Sequence, residues 1–246
     1  MTPSTTPGNR PYPIRVHARQ NGPPSRLLWL VKWLLLVPHV LVLIPLWIVS
    51  AMLTLVALVA IVITGRYPRP IFDYNLGVLR WSWRVSYYGY GVLGTDRYPP
   101  FTLADVPDYP ARLDIDYPAR LHRGLALVKW LLAIPHLLIL GILFGGGGWF
   151  TWQAGSEAWA WGGGGLVGLL VLISAITLAF TGDYPRPLIA LILGMNRWAL
   201  RVTAYIALMT DQYPPFRLDL GGDDPSGPTD PTPNTEPSTR TTPAMT

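Results

Sequence analysis

The apolar positions of the chain come in long unbroken runs. No charged residue occurs from Leu34 to Ile63, and none from Leu131 to Phe150. Each run exceeds what one core helix of a soluble domain needs and is long enough to cross a bilayer. With its flanks the first run covers Leu27 to Thr64, about 57 Å as a straight helix against a hydrocarbon core of roughly 30 Å. That excess predicts that the run folds back on itself.

The pattern is also written twice. Val31-Lys32-Trp33-Leu34-Leu35 with Pro38-His39 recurs as Val128-Lys129-Trp130-Leu131-Leu132 with Pro135-His136, 97 residues later. Tyr67-Pro68-Arg69-Pro70, Arg80-Trp81 with Arg84-Val85, and Tyr98-Pro99-Pro100-Phe101 return as Tyr184-Pro185-Arg186-Pro187, Arg197-Trp198 with Arg201-Val202, and Tyr213-Pro214-Pro215-Phe216. Such self-similarity marks a repeated structural unit. The offset grows to 117 between Phe144 and Leu166, where copy two carries an extra segment bounded by Gly145-Gly146-Gly147-Gly148 and Gly162-Gly163-Gly164-Gly165. Insertions survive at loop tips, so the segment is expected to mark a hairpin turn, which in copy one falls near Trp47 beside Pro45. The predicted spans are 27–44 and 46–64 in copy one, and 124–144 and 163–181 in copy two.

A third segment follows each hairpin, Pro70 to Leu93 and Pro187 to Met209. Arg80, Arg84 and Tyr88 lie at i, i+4 and i+8, as do Arg197, Arg201 and Tyr205, giving a polar stripe on an otherwise apolar helix. A third span would place two arginines in the bilayer at about 2.5–3.5 kcal/mol each, so these helices are expected to lie in the interface. Four short stretches, Pro13 to Ala18, Phe101 to Ala104, Arg112 to Asp116 and Phe216 to Leu220, alternate apolar with polar and could pair as a small cytoplasmic sheet. The resulting organisation is a tail over 1–11, membrane repeat one over 12–108, membrane repeat two over 109–220 with a Trp/Gly-rich insert at 145–165, and a tail over 221–246. Both tails have compositions too polar to order themselves. The first apolar run is too long and too deep for a cleavable signal peptide.

Composition sharpens this picture. Only 13% of the 246 residues are charged, half are hydrophobic, and the net charge of +5 comes from 17 Arg and 2 Lys against 14 acidic groups. In the hairpin reading no Lys or Arg lies on the turn side, so the positive-inside rule places both termini in the cytoplasm of a multi-pass inner-membrane protein. Arginine beside apolar segments suits an anionic lipid surface. The arginines form no dense tract and no nucleic-acid motif accompanies them, which argues against nucleic acid. The absence of cysteine excludes disulfides and thiolate chemistry.

Two residue sets are candidates for function. Lys32 and Lys129, the only lysines, each stand seven residues before a histidine, His39 or His136. Seven residues turn a helix by about 700°, so each pair shares one face about 10 Å apart. Each histidine follows a proline that frees the carbonyl of Leu34 or Leu131. One reading makes this a proton-handling or ligand site within the membrane. The other, favoured for want of an intramembrane carboxylate, has Lys snorkelling to the headgroups and His bonding the freed carbonyl. Arg80, Arg84, Arg197 and Arg201, with Trp81 and Trp198 at headgroup depth, are candidate lipid-phosphate contacts because guanidinium binds phosphate as a fork. Their alternative is anchoring, with ion pairs to Asp73, Asp96 or Asp211. No catalytic, cofactor or metal motif is expected.

The run Thr64-Gly65-Arg66-Tyr67-Pro68-Arg69, through Gly77-Val78-Leu79-Arg80-Trp81, to Thr95-Asp96-Arg97-Tyr98-Pro99-Pro100-Phe101 resembles the bacterial membrane family called domain of unknown function 4389. Copy two resembles it in Thr181-Gly182-Asp183-Tyr184-Pro185-Arg186, Arg197-Trp198 and Thr210-Asp211-Gln212-Tyr213-Pro214-Pro215-Phe216. The resemblance implies no activity. It departs at Ala190 and Ile192, which stand where copy one has Asp73 and Asn75. The expected fold is all-α integral membrane, each repeat a transmembrane hairpin plus an interfacial amphipathic helix, with a possible small sheet. The expected role is a non-catalytic lipid-interface scaffold or accessory subunit, with a membrane-protein partner or homo-oligomer possible. A small-solute or ion transporter is the alternative, and a membrane enzyme stands third.

Overall fold

The computed structural model describes residues 12–19, 25, 28–89, 91–145, 165–181, 185–216 and 218. The two tails and the Trp-rich part of the insert lie outside them. Among the described residues the chain is mostly helical, with one two-stranded sheet. The order is β1 (Ile14–Ala18), α1 (Trp29–Thr64), α2 (Arg69–Tyr88), β2 (Ala111–Ile115), α3 (Arg123–Phe144), α4 (Gly165–Thr181) and α5 (Arg186–Ile206). Of these, α1 and α3 are long and apolar enough to cross a membrane.

The turn expected near Trp47 does not exist. α1 runs unbroken for 36 residues through Pro38 and Pro45, about 54 Å, and ends at Gly65, whose φ of 71° is left-handed. The chain reverses there, through Arg66, Tyr67 and Pro68, into α2. Lys32, His39, Leu43, Ser50, Thr54, Ala57 and Ile61 are the buried positions of α1. At 100° per residue they form one narrow stripe along the whole helix, and α2 packs antiparallel on it. Tyr74 reaches the Leu46 carbonyl, Ser82 receives the Trp47 indole N–H, and Asn75 accepts from Ser50 and donates to Thr54.

Copy two builds the same rod from two pieces. α4 buries Val167, Val171, Ser174 and Leu178, the positions equivalent at an offset of 117 to Ser50, Thr54, Ala57 and Ile61. Its start sits on the end of α3: a Cβ at Gly165 would stand 2.5 Å from the Leu143 carbonyl oxygen and 2.7 Å from that of Ile142. The insert therefore interrupts a helix. An offset jump in sequence looks the same whether the inserted loop decorates a hairpin or splits a rod, and the glycines at each boundary serve the second geometry. Gly145 (φ 82°) and Gly165 (φ 53°) take left-handed conformations where the chain leaves and re-enters.

The third segments are helical as expected, but they do not lie exposed in an interface. α2 and α5 form the middle layer, buried between the long helices and the loops and sheet. Gly77 lets the 102–104 loop close on α2: a Cβ there would come within 2.8 Å of the Leu103 Cβ and 2.9 Å of its carbonyl oxygen. Gly77→Ala should cost about 1–3 kcal/mol by overpacking, read as a lower thermal unfolding midpoint of the purified chain.

The sheet pairs two of the four stretches expected to be extended. β1 and β2 are antiparallel with Ile14↔Ile115, Val16↔Leu113 and Ala18↔Ala111 in register. Phe101 to Ala104 forms no strand, because its carbonyls serve a buried arginine, and most of Phe216 to Leu220 lies outside the described residues. Val16 and Leu113 are equivalent by the 97-residue offset, so the sheet joins matching strands of the two repeats about their common centre. Tyr12 of copy one donates to the Gln212 carbonyl of copy two, while its equivalent Tyr109 donates to the Arg97 carbonyl of copy one. Each repeat thus lends its first strand to the other. Tyr67 ties the halves again, donating to Ala207 O while Asn75 donates to its oxygen. Burial pushes its hydroxyl up to about 12, opposed by the neighbouring Asn75 and Thr54 side chains.

Candidate functional site

The Tyr-Pro-Pro-Phe loops determine what the lysines and histidines do. After α2 the chain returns beneath α1, and Thr95 turns it by accepting the Arg97 N–H on its hydroxyl; Thr210 does the same with Gln212. The turn aims Asp96 at Lys32 (3.0 Å) and Asp211 at Lys129 (2.7 Å). Each ammonium also donates to the carbonyl of the preceding threonine, at 2.7 Å for Thr95 and 2.8 Å for Thr210. It lies over a tyrosine ring, Tyr88 at 4.7 Å or Tyr205 at 5.4 Å. The lysines are 1% and 0% exposed while the carboxylates are about 30% exposed, so neither lysine snorkels to a surface. The missing carboxylate stands 64 or 82 residues further along the chain, on a loop.

The histidines occupy matching aromatic boxes. His39 stacks on Phe101 with centroids 4.0 Å apart and planes 12° from parallel; His136 stacks on Phe216 at 4.0 Å and 15°. Tyr98 and Tyr213 lie against the same rings at 4.8 and 4.9 Å. Neither histidine bonds a freed helix carbonyl. The tyrosines serve the proline kinks instead, Tyr98 donating to Leu35 O and Tyr213 to Leu132 O, each one residue beyond the carbonyl singled out from sequence. The Trp81 indole donates to His39 Nδ1 at 3.2 Å. Among the described residues His39 Nε2 and both His136 nitrogens have no hydrogen-bond partner, and both side chains are fully buried.

The arginine stripes point inward. Arg84 is 2% exposed and Arg197 and Arg201 are fully buried, as nearly are Trp81 and Trp198. Arg84 donates to the carbonyls of Ala104 and Thr102, and Arg80 to Leu113 O and Asp114. Burial lowers the Arg84 pKa, opposed by Tyr109 and Asp105. Loop and strand carbonyls already fill the forks of Arg80 and Arg84, and burial keeps Arg197 and Arg201 from the surface. The expected ion pairs to Asp96 and Asp211 are likewise taken by the lysines. The arginines left at the surface are others. Arg66, Arg120 and Arg123 line a cavity of about 740 Å³ between the end of α1 and the start of α3, together with Gly65, His122 and Asp211. The Leu121 N–H closes this junction on Gly65 O. The sequence carries no sign of this meeting, since Arg66 stands 54 residues before Arg120.

No group of His, Asp or Glu able to hold a metal occurs among the described residues. The polar groups gathered here hold a loop to a helix: an ion pair, a ring stack and a helix carbonyl capped by tyrosine, built twice with distances agreeing to a few tenths of an ångström. The profile of the family described as domain of unknown function (DUF4389) matches residues 26–102 and 161–217. The first match spans α1, α2 and the first return loop, and the second spans α4, α5 and the second loop. Comparison with curated proteins and with solved structures found no match. With more than half of its length matched in two segments, the chain belongs to the DUF4389 family and carries the domain as two tandem copies.

Proposed function

We propose that this protein is a non-catalytic lipid-interface scaffold of the bacterial inner membrane, held by α1, α3 and α4 and contacting anionic lipid. The observation carrying this reading is the outer face of those helices. Opposite the buried stripe, Leu34, Leu41, Ile48, Leu55 and Ile63 of α1, Leu131, Leu138 and Ile142 of α3, and Leu169, Ile176 and Phe180 of α4 are exposed. No charged side chain interrupts them, and an apolar surface this continuous needs a non-aqueous partner. The sealed histidines favour a scaffold over a transporter, since neither is reached by water. Arg66, Arg120 and Arg123, exposed and without an ion-pair partner among the described residues, are the groups available to headgroup phosphates.

The test is the lipid that accompanies the purified chain, identified by mass spectrometry. The wild type is expected to be enriched in anionic lipid over the source membrane. R66Q/R120Q/R123Q should bring the ratio to that of the membrane without lowering the unfolding temperature. Equal enrichment in the triple variant, or none in the wild type, would remove the anionic-lipid role.

A further inference from the structure

Resting on the lipid-facing reading above, we infer that α1 and the α3–α4 rod lie along the membrane, not across it, seated side by side in a single leaflet. The symmetry of the repeats carries the argument. An antiparallel strand pair has its local two-fold axis perpendicular to the sheet, and here that axis passes between the equivalent residues Val16 and Leu113. The repeats are therefore related about the normal to the sheet. The long rods accordingly run in opposite directions: the end of α1 at Gly65 meets Leu121 just before α3, while Trp29 at its start lines a cavity with Phe144, Val167, Val171 and Ala175.

Opposed rods leave two choices. If they crossed the bilayer, the repeats would be inverted, with Lys32, Asp96 and Arg97 at one face and Arg66, Arg69, Arg120 and Arg123 at the other. The sheet would then stand at mid-depth. Arg80, which pairs with Asp114 at 3.0 Å, sits between Tyr74 and Ser82, the α2 residues that reach Leu46 and Trp47 at the centre of α1. Arg112 pairs with Asp105 in the same layer at 3.0 Å, and Arg15 with Asp116 at 2.7 Å. Charges at that depth cost about 2.5–3.5 kcal/mol each, and a rod of about 54 Å would overrun a core of about 30 Å.

Laid flat, the same molecule has no such conflict. The two-fold axis coincides with the membrane normal, the layers run parallel to the surface, and the order from lipid to water is α1 with α3–α4, then α2 with α5, then loops and sheet. The Arg80–Asp114, Arg112–Asp105 and Arg15–Asp116 pairs fall on the aqueous side. Trp47 and Trp130, at the flanks of the rods, turn their indole N–H groups to Ser82 Oγ and Ile206 O, towards the polar layers.

The cysteine-free chain permits a direct test in full length, reconstituted in phosphatidylethanolamine and phosphatidylglycerol vesicles. Single cysteines at Leu34, Ile48 and Val59, all on the outer face, would carry a fluorophore whose depth is read by quenching with nitroxides fixed at known positions along the acyl chain. A rod along the membrane gives one depth for all three. A crossing rod puts Leu34 and Val59, about 37 Å apart along the axis, near opposite surfaces with Ile48 deepest, and that gradient overturns the inference. Absence of lipid quenching at every site would instead overturn the lipid-facing reading itself. In the same vesicles, R97C and A119C, at opposite ends of α1, should react with an impermeant reagent from the same side; reaction from opposite sides is equally fatal.

Discussion

Asp96→Leu is expected to lower the stability of the protein by about 3 kcal/mol, because it strands the Lys32 ammonium at 1% exposure with only the Thr95 carbonyl and the Tyr88 ring for company. Breaking one side of a buried pair costs about 3–5 kcal/mol; the lower figure applies because Asp96 is 31% exposed and already shares its charge with water. For a chain of this size that corresponds to roughly 6–12 °C in Tm. Lys32→Met with Asp96→Leu should recover most of the loss, since no charge remains buried. Asp211→Leu should behave alike at Lys129, where the pair is 2.7 Å apart. Thermal unfolding of the purified single and double variants decides the point. A double variant as unstable as Asp96→Leu would mean that the ion pair is not what the loop contributes.

The second large effect is at Arg84. Arg84→Met should cost about 2–4 kcal/mol, because it leaves the Thr102 and Ala104 carbonyls without donors in a buried layer, at about 1–3 kcal/mol for each unmet group. Arg69→Met should cost less than 1 kcal/mol, since the Arg69 guanidinium is exposed and only lies over Tyr117 at 4.2 Å. The lipid that accompanies the folded fraction should not change in Arg84→Met. Unfolding temperature and co-purified lipid measured on one preparation separate the two roles. A variant that keeps its Tm but loses anionic lipid would show that Arg84 faces the headgroups after all.

Arg80, Arg84, Arg197 and Arg201 show where reading from sequence stops. Their i, i+4 spacing correctly put each pair on one helical face, but a polar stripe on an apolar helix reads the same whether it meets water, phosphate or the carbonyls of a distant loop. For Arg80 and Arg84 only the packing of residues 102–104 and 113–114 on α2 selects among these. The lysines repeat the lesson. Their shared face with the histidines follows from 3.6 residues per turn, whereas the carboxylates that pair with them come from loops that local periodicity cannot place. The hairpin expected inside α1 failed for a related reason. Length against bilayer thickness argues for a fold-back only if the rod must cross, and proline inside a helix is tolerated when hydroxyls such as those of Tyr74 and Tyr98 bond carbonyls nearby.

By itself the sequence determined that the chain is a tandem repeat, that its long runs are apolar and helical, and that one set of residues recurs in both copies. Those properties follow from local rules: periodicity, hydropathy and the identity of positions 97 or 117 residues apart. The tertiary structure alone decided that the repeats exchange their first strands, that their long helices run in opposite directions, and that the arginine helices form a buried middle layer. Such facts depend on which surfaces meet across 50 to 200 residues of chain. Pairing energies there are set by burial and by satisfied carbonyls, which no local pattern encodes.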